Sequence, residues 1–424
     1  MSRTLAVPLL GLAVVACHRD APSAQAEAGP LVASAPTEAP KLAVLPARCQ
    51  ATGVGFAIDD GHRMDDLEIG DSIATPGGGI AVDVLHRTSA GRVAAVALVP
   101  AGAVSMQLRD LGPTLGDAPP PRVASRATDL VAVSYSLSRR PESRELAVYT
   151  LSPSGDVKAT GSLAESRDDS LSFDVSSTLV VWDEARPGPA PTGVIRVAEL
   201  AADGRPGPAR NVSPIESDAE MPRIASSAGT TLVFWLDRKP EDGSTVDAST
   251  ASEVTGEARA YSWLQVAAVD PHGTLTGPPR RLTSQTGHVS SYDIAVLPPA
   301  ASRAEVLVVA RDDGEAVDGS GGALLRVRVR ADGQDPALAF ATDGLGRGAP
   351  AFVDGSPPWL SWVSTGEEAR LLSLDGAGAP TQLPSVEPAM NDGRPLAWVE
   401  QGHLMLAAMP GDDSAQLRVL SCVP

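Results

Sequence analysis

Carboxylates are the residues of this chain whose grouping could support chemistry. Asp59-Asp60 stands close to Asp65-Asp66, and Asp312-Asp313-Gly314-Glu315 close to Asp318-Gly319. Each group gathers hard oxygen donors within a few residues, the ligand type that a calcium ion takes. Neither has the spacing of an EF-hand loop, so solvated loop charge and a catalytic pair stand open beside calcium. No cofactor, metal ligand or catalytic residue is assigned. His18, His62, His86, His272, His288 and His403 include no two spaced as a local metal pair. Gly-x-Ser-x-Gly, His-Glu-x-x-His, Gly-x-x-x-x-Gly-Lys and Cys-x-x-Cys are all missing from the sequence, which removes the readily recognised hydrolases, zinc enzymes and phosphate-binding loops.

The elements that would position such groups are short β runs in a repeating order. Met221-Pro-Arg-Ile-Ala225 is followed by Thr231-Leu-Val-Phe-Trp-Leu-Asp237, by a strand from Trp263 to the turn at Gly273, and by Arg281-Leu-Thr283. The same order precedes it in Phe173-Asp-Val175, Leu179-Val-Val-Trp-Asp183, Ile195 to Gly204 and Asn211-Val-Ser213. Turn glycines after the third strand fall at Gly102, Gly155, Gly204, Gly273, Gly333, Gly376 and Gly411, marking seven units. Such spacing suits blades of about 40–50 residues with insertions and one truncation. With 37 prolines and 40 glycines in the chain, and no sustained helical period in the folded region, helices are not expected. Radial repetition then predicts an all-β, seven-bladed β-propeller, with six to eight blades as the bracket.

Several expectations follow from that architecture. The last unit has only three clear strands, at Leu396, Leu404 and Leu417, so the run Val54–Ile58 is expected to complete it. Cys49 and Cys422 flank that closure and suggest a disulfide clasp, two free thiols being the alternative. Trp182, Trp235, Trp362 and Trp398 occupy matching places in second strands and read as blade-to-blade packing. Connections after the second strand are long at 138–144, 185–193, 239–259 and 314–322. They leave one face, which makes that face the expected ligand side, with Asp183, Asp237, Glu241, Asp242, Asp312 and Asp313 as its candidate residues. Drift of tolerated loops is the competing explanation.

Arg3 precedes an apolar run from Leu5 to Ala16, too short to span a bilayer core of about 20 residues and laid out as a secretory signal. Val14-Val15-Ala16-Cys17 resembles the bacterial lipobox, and the resemblance implies cleavage before Cys17 and diacylglycerol on its thiol. His18 stands where an inner-membrane retention signal would have Asp, which implies outer-membrane sorting. Residues 18–44 are dominated by Ala, Pro, Glu and Ser and read as a tether. The expected organisation is a signal peptide at 1–16, an acylated N-terminus and tether at 17–44, and a propeller at 45–424.

A net charge of −18 argues against a nucleic-acid partner and against electrostatic adhesion to anionic lipid. Trp182-Asp183 invites comparison with WD40 repeats, yet the tryptophan lies on the second strand and a Gly-His partner is missing. Over residues 45–424 the repeated Leu/Val-Val-Trp-x-Asp run, strand, Asp-Gly and strand resembles the propeller-type repeats of uncharacterised exported bacterial lipoproteins. That resemblance implies a fold and no activity. The expected role is a lipid-anchored, monomeric binding or scaffold module at the cell envelope for a protein, peptide or glycan. A carboxylate-dependent hydrolase or lyase on saccharides or lactones, and a passive surface component, are the alternatives.

Overall fold

The computed structural model describes residues 44–46, 48–58, 67–101, 103, 105–114, 118–137, 144–163, 172–186, 192–227, 229–240, 260–300, 303–314, 322–340, 344–346, 348–353, 358–363, 369–385, 396–400, 403–408 and 417–423. Their secondary structure is entirely β. The chain opens with β1 (Val44–Pro46) and β2 (Arg48–Ile58), then β3 (Leu67–Ala74), β4 (Gly79–Thr88), β5 (Gly91–Pro100) and β6 (Ser105–Pro113). A second group is β7 (Arg122–Arg126), β8 (Asp129–Leu137), β9 (Arg144–Leu151) and β10 (Val157–Ser162). A third is β11 (Phe173–Val175), β12 (Leu179–Arg186), β13 (Thr192–Glu199) and β14 (Arg210–Asn211). The fourth is β15 (Asp218–Ser227), β16 (Thr230–Pro240), β17 (Ala260–Val269) and β18 (Arg280–Arg281). The fifth is β19 (Val289–Ala300), β20 (Arg303–Asp312), β21 (Ala323–Arg330), β22 (Gly333–Gln334) and β23 (Leu338–Ala339). Then follow β24 (Ala351–Val353), β25 (Trp359–Val363), β26 (Ala369–Leu374) and β27 (Pro380–Ser385), and finally β28 (Leu396–Glu400), β29 (His403–Ala408) and β30 (Leu417–Val423).

These strands form a β-propeller of six blades rather than the expected seven. The difference arises at β2, which is paired on both edges. It runs antiparallel to β30 and, through Ala57↔Ser105 and Ile58↔Met106, parallel to β6. The first and last expected units therefore share one eight-stranded sheet, ordered β28-β29-β30-β2-β6-β5-β4-β3. This eight-stranded sheet is called blade I here. β7–β10, β11–β14, β15–β18, β19–β23 and β24–β27 make blades II to VI, and β1 adds in parallel to β27 on the edge of blade VI. The first strands β3, β7, β11, β15, β19 and β24 stand side by side in that order, and β28 returns to β3.

The core lies between blades. Along β12, Val180 and Trp182 pack with Val131 and Val133 of blade II, while Leu179 and Val181 pack with Val233 and Trp235 of blade IV. A second strand buried on both faces reads as a continuous apolar run instead of an alternating one, which is why Leu-Val-Val-Trp stands unbroken. Each buried Leu, Val or Trp contributes roughly 1.5–3 kcal/mol relative to exposure. Trp182, Trp235 and Trp362 are all buried and face the preceding blade, a matching role in three units. Trp398 lies on β28, where only the backbone is described.

Turn glycines serve two purposes at once. Gly155, Gly204 and Gly273 have φ near +80° and donate to the carbonyl three residues back. Each also abuts the preceding blade: a Cβ on Gly273 would lie 2.9 Å from Val197 of blade III, and one on Gly204 would lie 2.4 Å from Thr150 of blade II. In blade VI this role falls to Gly378, not to Gly376, because the turn begins at Asp375. Gly102 and Gly411 lie outside the described residues.

Candidate functional site

Asp71, Arg122, Asp174, Arg223 and Asp293 come from the first strands of blades I to V, so that acid and base alternate around the axis, and Ala351 follows on blade VI. Together with Asp83 from β4 and a set of serines they line an axial cavity of about 490 Å³. Asp71 pairs with Arg122, and Arg223 Nη1 donates to Asp71 Oδ2 at 3.1 Å. Arg223 Nη2 lies 3.7 Å from Asp293 Oδ1, while Asp293 Oδ2 accepts from Phe352 N of the next blade at 2.8 Å. Asp174 Oδ1 accepts from Val175 N and its Oδ2 from Ile224 N of the next blade, both at 2.9 Å. The ring of charge is thus also a set of hooks between neighbouring blades.

Local backbone irregularities aim these side chains. β15 breaks register between Glu220 and Arg223, and Met221 inside that bulge has φ of 53°. A non-glycine residue there is strained and persists only where its surroundings hold it. Met221 N donates to Asp183 Oδ2 of blade III at 3.1 Å, and Met221 O accepts from Tyr292 Oη of blade V at 2.5 Å. The bulge so pinned directs Arg223 into the axis. β3 has a similar shift between Ile69 and Ser72, around Asp71. Gly70 permits it, since a Cβ there would lie 2.9 Å from the Cβ atoms of Asp83 and Pro120.

Electrostatics at the ring favour positive charge. Burial alone would lower the pKa of Arg223, but Asp293, Asp174, Tyr292 and Asp83 outweigh it, and the guanidinium is held above its ordinary value. Burial pushes the Tyr292 phenol well above its usual range; Arg223 pulls it back, and Asp174, Asp293 and Asp183 raise it further.

The channel has two unequal ends. A smaller cavity of about 130 Å³ is lined by residues at the starts of the first strands, among them Phe173, Met221 and Tyr292. Arg122 and Arg223 line both cavities and stand between them. The larger cavity lies toward the ends of the first strands, at Ser125, Ser176, Ser177 and Ser226. Second strands run antiparallel to the first and finish at the opposite end. The large cavity therefore opens away from the side where the long connections begin.

The residues expected on a ligand face have other partners. Asp183 is 3 % exposed and accepts from Ser172 N and Met221 N, holding the starts of two first strands. Asp237 is 4 % exposed; its Oδ2 accepts from Gln265 Nε2 at 2.9 Å and Ser217 Oγ at 3.4 Å. Asp312 Oδ1 accepts from His288 N and Gly314 N, and Asp313 Oδ1 accepts from Arg311 Nε at 2.6 Å. Cys17, Glu241, Asp242, Asp59, Asp60, Asp65, Asp66, Glu315 and Asp318 lie outside the described residues. Among the described residues no group of three or more His, Cys, Asp or Glu is arranged to hold a metal ion.

The axial residues were missed because each is a single charge on its strand and leaves no periodic signal. A signal nevertheless existed. Pro121-Arg122-Val123-Ala124 and Pro222-Arg223-Ile224-Ala225 match position by position, as do Phe173-Asp174-Val175 and Tyr292-Asp293-Ile294.

No family model and no curated protein matches the chain. Among solved structures, the β-propeller domain of the trilobed protease from Pyrococcus furiosus superposes with a TM-score of 0.46 at 8% identity, covering 85% of this chain and 94% of that one. The WD40 domain of Toxoplasma gondii coronin gives 0.45 at 9% identity, covering 90% and 87%. The α-L-arabinofuranosidase Arb93A from Fusarium graminearum gives 0.41 at 9% identity, covering 87% and 97%. Such distant likenesses transfer no activity, and the chain's own sheet order is what makes it a propeller.

Proposed function

We propose that this chain is a lipid-anchored cell-envelope propeller that binds a polar group of a peptide or glycan partner in its axial cavity. The observation that carries the reading is the alternating Asp/Arg ring lining about 490 Å³ together with serine hydroxyls. Few, well-placed polar groups in a preformed cavity are the usual basis of specific binding. Acylation at Cys17 and an outer-membrane location supply the address, and a tether at 18–44 gives the propeller reach.

The hydrolase or lyase alternative needs an axial carboxyl held protonated near neutrality. Asp71, Asp174 and Asp293 are instead engaged by arginines and backbone amides. Glu220 and Asp237, two carboxyls that burial pushes above their ordinary range, are not among the residues lining the cavity.

The reading is tested with the full chain carrying Cys17→Ser, screened on glycan and peptide arrays and followed by titration of the hits. Ser177→Trp, which fills the mouth of the cavity, should weaken a true ligand about ten-fold or more. Deleting residues 241–259 should leave that affinity unchanged. Ligands insensitive to Ser177→Trp but lost on the deletion would move the site to the other end of the propeller.

A further inference from the structure

The axial cavity carries more acid than base. Asp71, Asp83, Asp174 and Asp293 stand against Arg122 and Arg223, four formal negative charges against two positive. Arg223, inside the ring, keeps its proton more tightly than a free guanidinium although burial works against it, because Asp293, Asp174 and Asp83 face it along with Tyr292. Arg223 is itself a cation solvated by this lining, between Asp71 and Asp293. On the side away from Tyr292 the cavity continues past Arg223 to hydroxyls at Ser177 and Ser226, with room beyond the guanidinium. The whole chain carries a net charge of −18, so long-range attraction favours the same sign of partner.

We infer that the axial cavity takes an organic cation of the ammonium class, entering past the serine rim toward Asp174 and Asp293. This rests on the axial binding reading and specifies its ligand. An ammonium donates three hydrogen bonds, which suits carboxylates whose other lone pairs serve backbone amides, and serine hydroxyls complete its shell. An anionic group would meet the net negative lining and be disfavoured.

The test is calorimetric titration of the full chain bearing Cys17→Ser with four probes: 1,5-diaminopentane and capped tripeptides Gly-X-Gly with X lysine, norleucine or glutamate. The two cationic probes should bind, the lysine peptide about ten-fold or more tightly than its norleucine isostere, and raising salt from about 50 to 300 mM should weaken both. Diamine and lysine peptide distinguish a free amine from a basic side chain of a protein partner. Asp174→Asn keeps a carbonyl acceptor for the Ile224 amide and removes the charge; it should weaken the cations about ten-fold. Ser177→Lys, at a partly exposed rim position, should do the same by placing a tethered ammonium in the mouth, and covers the case in which Asp174→Asn fails to fold. A norleucine probe that binds as well as lysine and is blocked by Ser177→Lys, or a glutamate probe that binds as well and is strengthened by it, would overturn the cationic class while sparing the axial site. Cations that fail to bind overturn the inference, and cation binding unchanged by both variants overturns the inference and the axial site together.

Discussion

At the scale of single residues, the same carboxylate chemistry serves opposite ends depending on where the chain places it. Asp183 accepts from two backbone amides in two blades, so Asp183→Ala leaves both donors unsatisfied and should cost about 2–3 kcal/mol. Urea unfolding checks this, and a loss below about 0.5 kcal/mol would contradict the hooking role. Asp237 is the reverse case. Burial raises its pKa, with hydrogen bonds from Gln265 and Ser217 only partly compensating. Its folded pKa lies above the unfolded one, so the native state binds more protons in that window. Its contribution to stability therefore falls as pH rises through the window, and the cost is fully present above the folded value. Asp237→Asn is expected to raise Tm at neutral pH and to lose that advantage at pH below the ordinary aspartate range. A Tm difference independent of pH would count against it. Asp183 and Asp237 were visible in the sequence as repeated strand-end acids; their burial was not, because a charge ending an apolar run reads as the start of a solvated loop.

At the scale of elements, the turn glycines show what periodicity can and cannot carry. Gly273 needs positive φ and also the absence of a Cβ against Val197, whereas Gly229 has φ of 78° with open space around it. Gly229→Ala should cost about 1–2 kcal/mol, the strain of a left-handed residue alone. Gly273→Ala should cost more by about 1–3 kcal/mol, the usual range for overpacking. Equal losses in thermal melts would show that the blade contact contributes nothing. Second strands were legible because burial on both faces makes them long apolar runs. Two first strands, at Phe173–Val175 and Met221–Ala225, were legible as short runs, but the single charge that each sends to the axis was not, and β24 has only three residues.

At the scale of the whole molecule, repetition disclosed a propeller and miscounted its blades. Seven turn glycines cannot show that β2 would pair with both β30 and β6 and fuse the terminal units into one sheet. Closure itself was legible, and the register sets Cys49 directly opposite Cys422 on antiparallel strands. Opposed residues in such a pair have Cα atoms about 4.5–5.5 Å apart, within the range of a disulfide. We propose that the two cysteines are bridged. Intact mass should rise by two hydrogens on reduction, and Cys49→Ser should lower stability by about 2–5 kcal/mol; an unchanged mass would contradict the clasp. The account as a whole depends on the axis being where ligands sit. Crystals of the protein soaked with a set of small cationic, neutral and anionic fragments test that most directly. The expected result is density for cationic fragments inside the ring, between Arg223 and the serine rim. Fragments bound only on the side where the long connections begin, with the axial cavity holding none, would contradict it.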